Sequence, residues 1–125
     1  MSSNVTYKYI RQNPDIHTYI KNADAAVKAQ GYTEHSFAHV EKVADTVKMI
    51  LEGLGYDERK VELGMIAAYL HDIGNVINRI DHAQSGAVMA FRLLDNLNMS
   101  AEEICDIISA IGNHDEGTAQ PLNAI

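Results

Sequence analysis

The sequence is poor in several residue types, and each scarcity argues against a class of protein. A single cysteine, Cys105, cannot form an intrachain disulfide and is compatible with a reducing cytoplasm. No run of about 18 apolar residues is present, so a membrane-spanning helix is not expected. The segment from Met1 to Ile10 lacks the apolar stretch of a signal peptide. We therefore expect a cytoplasmic protein with no membrane partner.

Basic residues are also scarce relative to acidic ones. Ten lysines and arginines against seventeen aspartates and glutamates give a formal net charge of −7. That balance argues against binding a long nucleic acid through its phosphates, but it permits a small phosphorylated ligand held by a metal. The 125 residues, of which 46% are hydrophobic, suit one domain spanning 1–125 with one core.

Every strongly patterned segment has helical spacing, and no strand alternation is seen. Caps and glycines predict helices over 14–30, 33–54, 57–72, 82–98 and 100–113, with a loop or short turn over 75–81. The second predicted helix has a core stripe formed by Phe37, Val40, Ala44, Val47, Leu51 and Leu54. The third is apolar on opposite faces and is expected to be central and buried. The prediction is an all-α bundle of about five to six helices around that central helix.

Two further local expectations concern the C-terminal half. Cys105 lies beside Ile104 and Ile108 and is expected to be a buried small hydrophobe. The segment from Gln120 to Ile125 has proline near a predicted first turn and then ends. This predicts that the domain is incomplete at its C-terminus and that the chain is a fragment of a longer protein.

The pair His71-Asp72 lies at the end of the apolar third predicted helix. Packing alone does not explain two polar side chains at this position. A buried carboxylate costs several kcal/mol unless a cation or hydrogen bonds meet it. A divalent cation answers that cost, because imidazole and carboxylate are both good ligands. This pair is therefore the predicted centre of a metal site.

Other ligand-type residues lie at neighbouring helix positions. His39 is on the edge of the second helix's core stripe, and His82 faces the core in the first turn of the fourth helix. His114 and Asp115 follow the apolar row of the fifth helix. His17 and His35 lie further towards solvent and are not expected to be ligands.

Each candidate also has an explanation that needs no metal. His82 can bond a backbone carbonyl, Asp115 can be a turn residue, and Asp72 can turn out to water against the helix dipole. Arg79 is either a surface residue or, from its place between ligand candidates, a phosphate contact. The metal hypothesis is preferred because it explains the whole set at once.

These residues resemble a known family. The matching strings are His39-Val40-Glu41-Lys42-Val43-Ala44, Tyr69-Leu70-His71-Asp72-Ile73-Gly74, His82 with Gly86, and Asn113-His114-Asp115-Glu116. Together they resemble the HD-domain superfamily of metal-dependent phosphohydrolases over roughly 33–117. The order of the histidines looks like that of members holding two metals, including the HD-GYP type.

The resemblance implies an all-α fold and assigns roles by position. His39, His71 and Asp72 look like ligands of a first metal, with Asp72 bridging to a second. His82 and His114 look like ligands of the second metal, and Asp115 stands where the HD-GYP type has a further histidine.

The chain departs from the family pattern in two places. Asn75 replaces a lysine that many relatives have directly after the His-Asp-Ile-Gly string. The family's last aspartate ligand would lie beyond Ile125, so the site is complete only if Asp115 substitutes or if the chain is a fragment.

The resulting functional hypothesis is hydrolysis of a phosphate ester or anhydride in a nucleotide or related small molecule. Asp72 would fix one or two divalent ions (Mn, Fe, Co, Ni or Zn), and Arg79 would orient a phosphate oxygen. The alternatives are a non-catalytic metal- or nucleotide-binding module and a di-iron oxygenase. An unfinished helical domain would also expose apolar surface, which favours a homo-oligomer.

Overall fold

A computed structural model describes residues 5–29, 37–77 and 81–113, and the secondary structure elements in this part of the chain are all helices joined by short turns. It contains a short 3-10 helix at Ile73–Val76 and six α-helices, which are α1 Tyr7–Gln12, α2 Pro14–Ala29, α3 Phe37–Gly53, α4 Glu58–Leu70, α5 His82–Asn96 and α6 Ala101–Gly112. The predicted all-α fold is confirmed. No helix among the described residues combines the length and the apolar character needed to cross a membrane.

Side-chain caps explain where three of the helices begin. Asn13, Asp57 and Ser100 accept hydrogen bonds from backbone N–H groups that the first turn leaves without helical partners. The donors are Asp15 and Ile16 for Asn13, Lys60 for Asp57, and Glu103 for Ser100. These starts agree with the sequence prediction.

The central element is α4, as the apolar pattern predicted. Eight of its residues are buried, which are Val61, Leu63, Gly64, Ile66, Ala67, Ala68, Tyr69 and Leu70. Among the described elements α3 makes the most extensive contact with α4, while α6 and α1 cover other parts of it. Because α4 is covered on several sides, residues at its C-terminal end are held in a protein interior.

The 3-10 helix packs closely against the start of α5 at two glycines. A Cβ built on Gly74 would overlap the backbone carbonyl of His82 and would lie 2.5 Å from the backbone nitrogen of Gly86. A Cβ on Gly86 would in turn lie 3.2 Å from the nitrogen of Gly74. The absence of side chains at both positions therefore lets the first turn of α5 approach the end of α4.

Two expectations about burial were wrong. Leu54, the last member of the predicted stripe on α3, is 69% exposed because α3 has ended at Gly53 and the chain turns through Gly55 at φ +86. Cys105 is exposed, because α6 buries the face formed by Ile104, Ile107 and Ile111. Position 105 lies about 100° round the helix from Ile104, on the edge of that face.

Candidate metal centre

Three ligand-type side chains converge where α3 and α4 meet. His39 comes from α3, His71 is the C-cap of α4, and Asp72 follows it. Each offers one ligand atom, and these atoms all lie within 4.8 Å of one another. The ring centroids of the two histidines are 6.0 Å apart and the rings are tilted by 52°. Bonds of about 2 Å join atoms up to about 4 Å apart, so a small inward movement of these side chains would let one ion reach all three.

The end of α4 sets the direction of the two consecutive side chains. The backbone N–H of His71 still donates to Ala68, whereas Asp72 leaves the helix at φ −108 and ψ 8. The carbonyl of Asp72 accepts hydrogen bonds from both the backbone nitrogen and the Nδ2 atom of Asn75. This pair of bonds fixes the peptide of Asp72, whose carboxylate lies close to His39 and His71.

The hydrogen bonding of His71 indicates which ring nitrogen is available to a metal. Its Nδ1 contacts the backbone carbonyl of Ala68, and a carbonyl only accepts, so Nδ1 carries the proton. In the neutral ring Nε2 then has a lone pair, and it lies 3.0 Å from Oδ2 of Asp72. Two acceptors at this distance repel each other unless a positive charge lies on or between them. The donor set therefore fits a bound cation, and a backbone-bonded imidazole is a common arrangement of a metal ligand.

His82 approaches the same carboxylate from α5. Its Nε2 lies 3.0 Å from Oδ1 of Asp72, and the two residues are 4% and 6% exposed. Each oxygen of Asp72 thus faces one imidazole nitrogen. His82 is not one of the three residues whose ligand atoms lie within 4.8 Å of one another. It contacts the cluster through Asp72, and its role as a second-metal ligand stays a prediction.

The remaining predicted site residues are Arg79, His114 and Asp115, which lie outside the described residues together with His35. Their roles stay predictions. His17 is exposed on α2 and stacks on Phe37 with ring centroids 4.1 Å apart. It does not join the cluster, as expected.

Sequence reasoning assigned no role to Asn75, which it placed in a loop. The side chain is 1% exposed and bonds the backbone of Asp72. Its Oδ1 has no hydrogen-bond partner within the described part of the chain. The sequence did offer one signal for this role, an asparagine directly after His-Asp-Ile-Gly. The amide of an asparagine can donate to a nearby backbone carbonyl.

Tyr69 lies one turn before Asp72, and the two residues line one small space against α2 and α3. The ring of Tyr69 packs edge-on against Tyr7 at 5.6 Å, and burial followed by the nearby Glu41 raises its pKa. Burial likewise raises the pKa of Tyr7 to about 12. Both phenols therefore stay neutral near pH 7, and their rings contribute to packing between α1 and α4.

Comparison with known proteins identifies the family. The HD domain family model matches residues 36–125, which include the three clustered side chains. The chain belongs to the HD domain family. HD domains are metal-dependent phosphohydrolases that typically bind divalent ions.

This HD domain is also similar to a curated archaeal protein. The uncharacterized protein MJ1020 of Methanocaldococcus jannaschii is 26% identical over 133 aligned positions. The match covers 89% of this chain and 51% of that protein, so the chain spans about half the length of this relative. No solved structure matches the chain.

Proposed function

We propose that this HD domain is a metal-dependent phosphohydrolase that cleaves a phosphate ester or anhydride of a nucleotide or related small molecule. The observation that supports it is the environment of Asp72. Its buried carboxylate faces an imidazole nitrogen at 3.0 Å from each oxygen, and His39 lies within the same cluster. Imidazole groups gathered around one carboxylate suit a divalent transition metal.

In this proposal His39, His71 and Asp72 hold the ion, and their mixed nitrogen and oxygen atoms suit Mn, Fe, Co, Ni or Zn. When bound, a divalent ion polarises the phosphoryl group and lowers the pKa of a water from about 15.7 towards about 7. Three protein ligands leave coordination positions for water and substrate, as catalytic sites require. In hydrolysis the oxygen of water would bond to phosphorus, the bond to the leaving oxygen would break, and the proton lost by the water would pass to the leaving group.

The other residues would complete this arrangement. His82, which contacts the other oxygen of Asp72, would help to hold a second ion together with Asp72, His114 and Asp115. Arg79 would orient a phosphate oxygen through its guanidinium group. Asn75 would keep the Asp72 backbone in place by its two hydrogen bonds to that carbonyl.

A second candidate is a domain that binds metal or nucleotide without turnover. It differs from the main proposal in turnover alone, because both would use the three ligand atoms that converge within the described residues. Structural metal sites usually have four protein ligands, so this count favours the catalytic proposal over a purely structural metal.

The test combines metal content with turnover. The protein is stripped with a chelator, reloaded separately with Mn, Fe, Co, Ni or Zn, and assayed on phosphate monoesters, phosphate diesters and nucleoside phosphates. Wild type is compared with His71→Ala and with His17→Ala, whose ring is exposed outside the cluster. We expect metal-dependent phosphate release that falls about 100-fold or more in His71→Ala and is unchanged in His17→Ala.

Three results separate the candidates. Equal turnover by wild type and His71→Ala would overturn the proposal. Stoichiometric metal without turnover on the whole panel would identify a binding module instead. An O₂-dependent product in the iron-loaded protein would identify an oxygenase.

A further inference from the structure

An apolar cavity of about 180 Å³ adjoins the metal centre. It lies between three helices, with Val43 and Val47 from α3, Gly64 and Ala67 from α4, and Ala110 from α6 in its walls. The small residues on α4 and α6 leave this space open between helices that otherwise pack closely. His71 also lines the cavity, and it is the one residue of the three-residue cluster that does so.

The cavity begins within one helical turn of the cluster. Val43 lies one turn after His39 on α3, and Ala67 lies one turn before His71 on α4. Each separation of four residues corresponds to a rise of about 6 Å along the helix. A molecule with a phosphate at the cluster can therefore place a directly attached group in the cavity.

Size and chemistry limit what that group can be. An apolar cavity of about 150 Å³ stays dry and accepts a benzene ring in another protein, so about 180 Å³ suits one ring with a short attachment. Apart from His71, the side chains in the wall have no hydrogen-bonding atoms. Burying the hydroxyls of a sugar or the polar edge of a nucleobase there would leave those groups without partners, which is costly. Burying a hydrocarbon surface is favourable.

We propose that this cavity receives the leaving group of the substrate and selects phosphate esters of apolar, ring-sized alcohols. The inference rests on the proposed phosphohydrolase activity. It replaces nucleotides as the expected substrates, because the leaving group of a nucleotide carries the sugar hydroxyls that this cavity disfavours. The phosphate would lie at His39, His71 and Asp72, and the ring would lie between α3, α4 and α6. His71 would contact both parts of the molecule.

The kinetic test fills the cavity and compares two esters. Benzyl phosphate carries the ring, whereas methyl phosphate presents the same ester chemistry without it. The filling variant is Ala110→Leu, and its matched control is Ala26→Leu, because Ala26 on α2 is also partly buried but does not line the cavity. We expect wild type to have the lower KM for benzyl phosphate. Ala110→Leu should raise that KM about tenfold or more, with a smaller effect on methyl phosphate, whereas Ala26→Leu should change the kinetics of neither ester.

A binding test on the metal-free protein separates this inference from the proposed function. Ligand-observed NMR with benzyl alcohol, which has no phosphate, should show binding by wild type and Ala26→Leu and none by Ala110→Leu. Binding in this pattern supports the cavity even if no ester is hydrolysed. Val47→Phe fills the same space from α3 and replaces Ala110→Leu if circular dichroism shows that the latter is unfolded.

Several outcomes would overturn the inference. Wild type failing to bind benzyl alcohol would do so, as would equal binding by wild type and a folded filling variant. With an active enzyme, an unchanged KM for benzyl phosphate in that variant would remove the substrate assignment while leaving phosphohydrolase activity established.

Discussion

The Nε2 atom of His82 lies 3.0 Å from the Oδ1 atom of Asp72, and both side chains are buried. The contact joins the first turn of α5 to the turn that follows α4. It makes Asp72 a carboxylate held between imidazoles from two different elements. His82 can therefore influence a metal ion held by Asp72 by positioning that carboxylate, even without binding an ion itself.

Replacing His82 by alanine should weaken metal binding. Asp72 would lose the imidazole that fixes Oδ1, and loss of such a supporting partner typically lowers metal affinity by about 10–100-fold. Competition titration of Zn or Mn against a chromophoric chelator measures the affinity, with His17→Ala as the control. A fall in stoichiometry from two ions to one would show that His82 is a ligand of a second ion. An affinity equal to that of wild type would contradict both roles.

Gly74→Ala should destabilise the fold and displace His82 from Asp72. The new Cβ would overlap the backbone carbonyl of His82, which cannot move as a flexible side chain would. We expect the free energy of unfolding to fall by at least about 2 kcal/mol, measured by urea denaturation. Metal affinity should fall with it, because the first turn of α5 must shift.

The matched control for this glycine is Gly53→Ala at the end of α3. A Cβ there meets nothing within 4 Å, so the change should be neutral or should stabilise by up to about 1 kcal/mol. Equal effects of the two substitutions would show that the close approach of Gly74 to α5 does not constrain the fold.

The ion pair between Arg59 and Glu103 should contribute measurably to stability. The guanidinium bonds both oxygens of Glu103 at 2.8 and 2.7 Å, tying the start of α4 to the start of α6. Its other bonds reach Glu62 and the carbonyl of Val5. Charge-assisted bidentate bonds are stronger than neutral ones, so Glu103→Gln should lower the free energy of unfolding at pH 7 by about 1 kcal/mol.

This contribution should depend on pH in a defined direction. Hydrogen bonding to Arg59 lowers the pKa of Glu103 below its ordinary value. The stabilisation is therefore fully present above the pKa of Glu103 in the unfolded chain and is lost as pH falls through its lower pKa in the folded protein. Urea titrations from pH 7 to pH 3 should show wild type and Glu103→Gln converging at the acid end.

The control is Glu41→Gln, which breaks the pair with Arg11. The side chains of that pair are 46% and 40% exposed, so the change should be about 0.5 kcal/mol or less. A constant difference between wild type and Glu103→Gln across this pH range would contradict the assignment.

Local patterns predicted most of the helices because their causes are local. The caps Asn13, Asp57 and Ser100 and the apolar rows of α3, α4 and α6 act over one or two turns. The six-residue α1 was missed, since it buries only Ile10 and gives no periodic signal. The exposure of Leu54 was missed because the spacing of apolar residues does not show that α3 ends at Gly53.

The candidate site was likewise predicted only in part. His39, His71 and Asp72 were chosen as residue types beside apolar faces, and the structure brings these three together. The hydrogen bonds of Asn75 and the cavity beside His71 were not predicted. They depend on the path of the chain after α4 and on how far α6 lies from α3, which residue spacing does not specify.

The sequence by itself determined the helical class, the central place of α4 and the histidines and aspartate proposed to bind a metal. These follow from side-chain chemistry and from periodicity within single helices. Only the tertiary structure decided which of those side chains share one carboxylate and what space lies beside them. The physical reason is that such distances depend on contacts between helices far apart in sequence, such as Gly74 against His82, where a single Cβ decides how closely two elements approach.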